Sequence, residues 1–380
     1  DVFVATGVEE DDIGSIEEEA ERKEETDSEE EDDVGISEEE ADRKEGTDNE
    51  EERSKPVDQL YKLYYKKKIL TKKEMKAIDD ANVDLYVGLS EEDEKVLKKV
   101  LKSGGVEANT DSMMIEILME QLRLSKAGSK HSDAYKLLNI LRCIIESIED
   151  WSEADSELTS YRHCAKILDC LFCGTELKIL DGEPGCLAAK EQMIVNHSLF
   201  PFSEENALST CAVRKVDAIV VANLKKERVE LSTNEWKKSC VSSTTAMKQQ
   251  SKNLRTNLSI LNQLNRRYNI KTKNVVAMDF IGSVGYMYSL REKEGVYVAN
   301  LIEELSLPRN NKEIKHVSKT INALFKFKNH LEKLAAEATE GFEVRSSASR
   351  LKGITRSRVH HLETPCETPR VMFSPKPKRR

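Results

Sequence analysis

In the stretch VELSTNEWKKS (229–239), Glu235 and Lys237 stand two residues apart around a lone Trp236. On a strand, that spacing turns the carboxylate and the ammonium to one face and the indole to the other. Upstream, Asp217 sits in RKVDAIVV among Val213, Val216, Ile219, Val220 and Val221. A carboxylate in such a run is largely desolvated and needs a partner such as a cation. Two carboxylates on neighbouring strands supply the hard oxygen ligands that suit Mg²⁺, which keeps some of its waters and binds phosphate oxygens. A metal held there lowers the pKa of a bound water and neutralises charge developing on phosphorus. Lys237 would orient or deprotonate the attacking water, or stabilise the transition state electrostatically. The plainer alternative is a cross-strand ion pair between Asp217 and Lys237 in a sheet that does no chemistry.

The next segment, SSTTAMKQQSKNLRTNLSILNQL, reads as a long amphipathic helix. On it Gln250, Asn253 and Asn257 share a face at i, i+3, i+7. Lys252 and Arg255 lie off that face, within reach of phosphates. A solvated polar face explains the same residues equally well.

These groups need a scaffold, and the pattern supplies one. SEADSELTSYRHCAKILDCLFCG reads as a helix capped by Ser152 and stopped by Gly174. CAVRKVDAIVVA (211–222) and VELSTNEWKK are strands joined by a hairpin at NLKKER. After the long helix, NVVAMDFIG, GYMYSLRE and GVYVANLI read as three short strands, the first able to lie parallel to the core. GSVGY between the first two is a turn. KEIKHVSKTINALFKFKNHLEKLAAEATEG closes the domain as a helix.

The strand with Asp217, the strand with Glu235-Trp236-Lys237 and the helix with KQQSKNLR together resemble the PD-(D/E)XK (restriction-endonuclease-like) nuclease superfamily. The fuller string, from SEAD to AMDFIGSVGYMYSL, also looks like an uncharacterised group of fungal proteins. The resemblance covers roughly residues 151–300. It implies an αβββαβ core, Asp217 and Glu235 as Mg²⁺ ligands, Lys237 at the water and Gln250 in support. It also implies an acidic residue from the first core helix, where Glu153 and Glu157 are the candidates. Glu157 aligns with the apolar stripe Tyr161, Cys164 and Leu168; Glu153 is preferred from its place in SEAD. The proline that usually precedes the first aspartate is Val216 here, which removes part of the signature.

The expected class is therefore α/β, with a helical region (57–150), a nuclease-like domain (151–340) and two disordered tails. Residues 1–56 form an acidic tail in which DDIGSIEEEAERKEETDSEEE (11–31) repeats as DDVGISEEEADRKEGTDNEEE (32–52). Like-charge density this high resists compaction. The first 52 residues hold 26 acidic and 4 basic side chains, so the remainder, with 43 acids and 55 bases, is net positive although the whole chain is −10. A basic body suits nucleic acid, and the acidic tail is expected to mask it or to bind a basic protein such as histone. Residues 341–380 form a basic tail ending PKPKRR, a cluster of nuclear-import type.

No apolar run approaches the length of a membrane span, and the eight Cys are expected to be reduced in a soluble intracellular protein. His163, Cys164, Cys170 and Cys173 do not make a zinc site, because they lack two tight ligand pairs and Cys164 continues an apolar stripe. Two functions stand: a metal-dependent nuclease acting on nucleic acid, most simply DNA, and a catalytically inactive nuclease-like scaffold that binds nucleic acid or protein in the nucleus.

Overall fold

The computed structural model describes residues 2–5, 86–152, 154–199, 215–224, 227–293 and 296–355. The whole acidic repeat (11–52), residues 57–85, Glu153 and residues 356–380 with PKPKRR lie outside them.

Three helices open the main body: α1 (Glu91–Ser103), α2 (Thr110–Lys126) and α3 (Asp133–Ser147). Each starts where a small polar side chain satisfies a backbone N–H left over at the first turn. Ser90, Asn109 and Ser132 accept from Asp93, Ser112 and Tyr135 respectively. All three helices fall within the region 57–150. α3 buries Leu137, Leu138, Ile140, Leu141 and Ile144 and packs against α4 (Glu157–Phe172). The cap of α4 is Ser156, which accepts from Thr159 N, and not Ser152. Asp155 and Ser152 bond to each other in the turn before it.

Beyond α4 come β2 (Leu177–Asp181), α5 (Leu187–Leu199), β3 (Ala218–Leu224), β4 (Glu227–Lys237), α6 (Ser243–Tyr268), β5 (Asn274–Ile281), β6 (Val284–Lys293), β7 (Val296–Ser306) and α7 (Ser318–Thr355). Six strands form one mixed sheet in the order β7-β6-β5-β4-β3-β2, and β1 (Val2–Ala5) pairs antiparallel on the β7 edge. All neighbours are antiparallel except β4 and β5, which run parallel across α6, as the sequence allowed for the strand at NVVAMDFIG.

Four differences from the sequence reading matter. The five-residue β2 and the helix α5 fill the stretch between Gly174 and the Asp217 region, where no element was expected. The strand after Asp217 begins at Ala218, so Asp217 stands at its entrance and not within it. At the C-terminal boundary, α7 continues past residue 340 to Thr355, because nothing in GFEVRSSASRLKGIT stops a helix. At the other end, Val2–Ala5, the one apolar stretch of the segment read as an acidic tail, is a strand.

Trp236 shows how the sheet is clamped. It is fully buried, stacked on Phe280 at 5.7 Å with the rings nearly parallel and edge-on to Tyr161 of α4 at 4.9 Å. Thr233 and Glu235 face the other way, toward α6. There Asn257 grips Thr233 twice: Thr233 N donates to Asn257 Oδ1 at 2.8 Å, and Asn257 Nδ2 donates to Thr233 O at 2.9 Å. The parallel ladder with β5 begins only at Glu235. Buried peptide groups before that point need other partners, and the asparagines of α6 supply them.

Candidate functional site

The sheet brings three carboxylates into one row. Asp217 precedes Ala218, which is in register with Asn234, so Asp217 stands beside Glu235. Glu235 is in turn in register with Asp279 on β5. Residues side by side on adjacent strands project to the same face. Asp217, Glu235 and Asp279 thus occupy consecutive strands at one level. The sequence reading found the first two and missed Asp279. The signal was present as a lone acid in the apolar run NVVAMDFIG, but which strand lies beside β4 cannot be read from spacing.

The three acids differ in surroundings. Asp217 Oδ2 accepts from Trp236 N at 2.7 Å. Burial raises its pKa, against the pull of that bond and of Lys237. Glu235 is 2 % exposed; burial is the main cause that pushes its carboxyl up to about 7. Its Oε1 makes no hydrogen bond, and Lys252 Nζ stands 3.5 Å away. Asp279, also 2 % exposed, accepts from Asn253 Nδ2 at 2.7 Å through Oδ1, while Oδ2 has no hydrogen-bond partner. Burial holds its pKa well above the carboxylate range, with nearby Glu235 adding to the rise.

Lys237 does not meet Asp217. It forms an ion pair with Glu157 at 2.7 Å, tying the first turn of α4 to the end of β4. Of the two first-helix acids, the structure therefore brings Glu157 to the lysine; Glu153, the one preferred from sequence, lies outside the described residues. On α6 the polar face is not solvated. Gln250, Asn253 and Asn257 are all buried. Asn253 joins Thr233, Asp279 and the Tyr288 hydroxyl, and Gln250, one turn nearer the helix start, has a buried Oε1 with no partner.

The turn at Gly282 completes this end of the sheet. Gly282 has φ +58 and donates to Lys237 O at 2.7 Å. A Cβ there would meet Ser239 Oγ at 2.1 Å, so the position needs glycine. A small pocket opens beside it, lined in part by Trp151, Asp155, His163, Ser239 and Arg309.

The donor chemistry fits a hard cation: Asp217, Glu235 and Asp279 offer only oxygens, and two of these, Glu235 Oε1 and Asp279 Oδ2, are buried without a hydrogen bond. Among the described residues, however, no three His, Cys, Asp or Glu side chains close around one point as a metal cage. Cys164 is buried, its thiol pushed up to about 12 by desolvation, and Cys173 is exposed. No helix of the described chain is long and apolar enough to cross a membrane. Comparison with protein-family models, curated proteins and solved structures finds no match.

Proposed function

We propose that the protein is a metal-dependent phosphodiesterase of PD-(D/E)XK type that hydrolyses nucleic acid, most simply DNA. One observation carries the reading: Asp217, at the entrance of β3, stands beside Glu235 on β4, with Lys237 two residues on. The succession α4, β2, β3, β4, α6, β5, with β4 and β5 parallel, supports it as an αβββαβ core that has gained α5. Asp217 and Glu235 are the metal ligands, and Glu157 or Glu153 adds a carboxylate from the first helix. Bound Mg²⁺ supplies a water of lowered pKa and neutralises charge on the scissile phosphate. Asp217 is held in place by Trp236 N, and Glu235 by its burial between the sheet and α6. Lys237, released from Glu157, reaches the phosphate or the attacking water. Gln250 supports the carboxylates from α6. The basic body and PKPKRR add salt-sensitive phosphate contacts and nuclear import.

The test is cleavage of plasmid and single-stranded DNA by the full chain with Mg²⁺ or Mn²⁺, beside Asp217→Ala. Metal-dependent cutting that vanishes in the variant supports the reading; no cutting of any nucleic acid by the wild type removes it. A second reading, an inactive scaffold of the same fold, is favoured by the ion pair that occupies Lys237. Binding that weakens steeply with salt, without cleavage, is its expected signature.

A further inference from the structure

Three buried oxygens at this end of the sheet lack a hydrogen: Glu235 Oε1, Asp279 Oδ2 and Gln250 Oε1. Their residues are 2 %, 2 % and 4 % exposed. Leaving a buried acceptor without a donor is costly, so three close together call for one explanation. They belong to one locality. Glu235 and Asp279 are register partners on parallel strands, and Asn253, whose amide touches Asp279, lies one turn along α6 from Gln250.

A shared proton explains only part of this. A protonated carboxyl donates one hydrogen and satisfies one acceptor, and an amide oxygen does not take up a proton near neutrality. Two carboxylates and an amide oxygen are, however, ligand types that Mg²⁺ and Ca²⁺ accept, with waters completing the shell. Asn253 binds Asp279 Oδ1 at 2.7 Å and the Tyr288 hydroxyl also stands against this carboxyl, which together fix its orientation, while Oδ2 makes no well-aligned hydrogen bond. Lys252 Nζ stands 3.5 Å from Glu235 Oε1, so an incoming cation takes the place of that ammonium beside the oxygen.

We propose that Glu235, Asp279 and the amide oxygen of Gln250 form the site of a hard divalent cation, so that Asp279 is a ligand of the centre to which Asp217 also belongs. The choice of Mg²⁺ as occupant rests on the nuclease reading; the ligand set does not. Only two of its three members are acids, which is consistent with the absence of a three-acid cage among the described residues.

The experiment is calorimetric titration of the full chain with Mn²⁺ and Mg²⁺, comparing wild type, Asp279→Asn, Gln250→Met and Asp217→Asn, each checked by circular dichroism. Asp279→Asn and Gln250→Met are expected to weaken Mn²⁺ binding at least about tenfold, the scale on which shell residues act. Asp279→Asn is also expected to melt no lower than wild type without metal, because asparagine keeps the size of the side chain and the oxygen that accepts from Asn253. Should Asp279→Asn fail to fold, Gln250→Met carries the test. Wild-type affinity in both variants, with loss only in Asp217→Asn, overturns the proposal and leaves the nuclease reading standing. Loss in both variants in a protein that cuts no nucleic acid upholds the site and removes the nuclease. A wild type that binds neither ion overturns the site outright.

Discussion

Glu230 and Glu235 lie five residues apart on β4, 1 % and 2 % exposed, yet they have opposite surroundings. Glu230 is fully engaged. Its Oε1 accepts from Leu187 N at 2.9 Å and Arg228 at 3.0 Å, and its Oε2 accepts from Ala188 N at 2.9 Å and Cys186 Sγ at 3.3 Å. Those backbone donors are the open first turn of α5, where the helix dipole also favours an anion. Glu235 has a lysine at 3.5 Å and an oxygen with no hydrogen bond. A buried carboxylate surrounded by donors holds a fold together. One left short of donors costs stability unless something else arrives, which is how binding sites differ from struts.

Residues five apart on an even strand face opposite ways, yet both glutamates serve the same side: Glu230 binds α5, which packs on α6, and Glu235 faces α6 itself. A β-bulge reconciles them. Val220 opposes Ser232 and Val221 opposes Glu230, so Leu231 is the extra residue that shifts the alternation by one.

The largest effect should come from breaking the satisfied member. Glu230→Ala strands two helix N–H groups and Arg228, and is expected to cost about 3–5 kcal/mol in denaturant unfolding, the range for removing one partner of a buried charge pair. The unsatisfied member should behave in reverse. The pKa of Glu235 rises from 4.5 to about 7 on folding, so the native state holds the proton more tightly. Its contribution is therefore most favourable below pH 4.5 and is lost as pH rises through 7. Glu235→Gln is expected to stabilise the metal-free protein by up to about 3 kcal/mol at pH 8 and by almost nothing at pH 4, read from unfolding curves across that range. Asn253→Leu removes the donor to Asp279 and one grip on Thr233, and should cost about 1–3 kcal/mol for the acceptors it strands, measured as a lowered denaturation midpoint. The smallest effect belongs to Lys237 and Glu157, whose side chains are 23 % and 41 % exposed. A double-mutant cycle on that pair should return about 0.2–1 kcal/mol, and a larger coupling would make it a strut like Glu230.

Much of the frame was legible in the sequence. Apolar β-branched runs marked β3, β4 and β5, and an amphipathic pattern marked α6. The pairing of Asp217 with Glu235 followed from a hairpin between adjacent strands. What escaped depended on distant partners. β2 is five residues long and takes its identity from pairing with β3. Glu230 looks like an ordinary strand acid until the start of α5 arrives from 42 to 44 residues upstream. Asp279 joins the site only through a parallel register set after α6 has crossed. Gln250, Asn253 and Asn257 were recognised as a face, but whether it met water or the sheet was not written in their spacing.

α7 is the last described element, 38 residues and about 57 Å long at 1.5 Å per residue, and it completes contacts that the earliest helices leave open. Asn322 accepts from Leu89 N, 233 residues back, and Asn329 donates to Val87 O, 242 back. Buried Lys328 meets Asp133 at 2.8 Å, 195 residues back. During synthesis Asp133 of α3 precedes its partner Lys328 by 195 residues. Loops that long close slowly, so α1 to α3 wait with an unfinished face until α7 has been made.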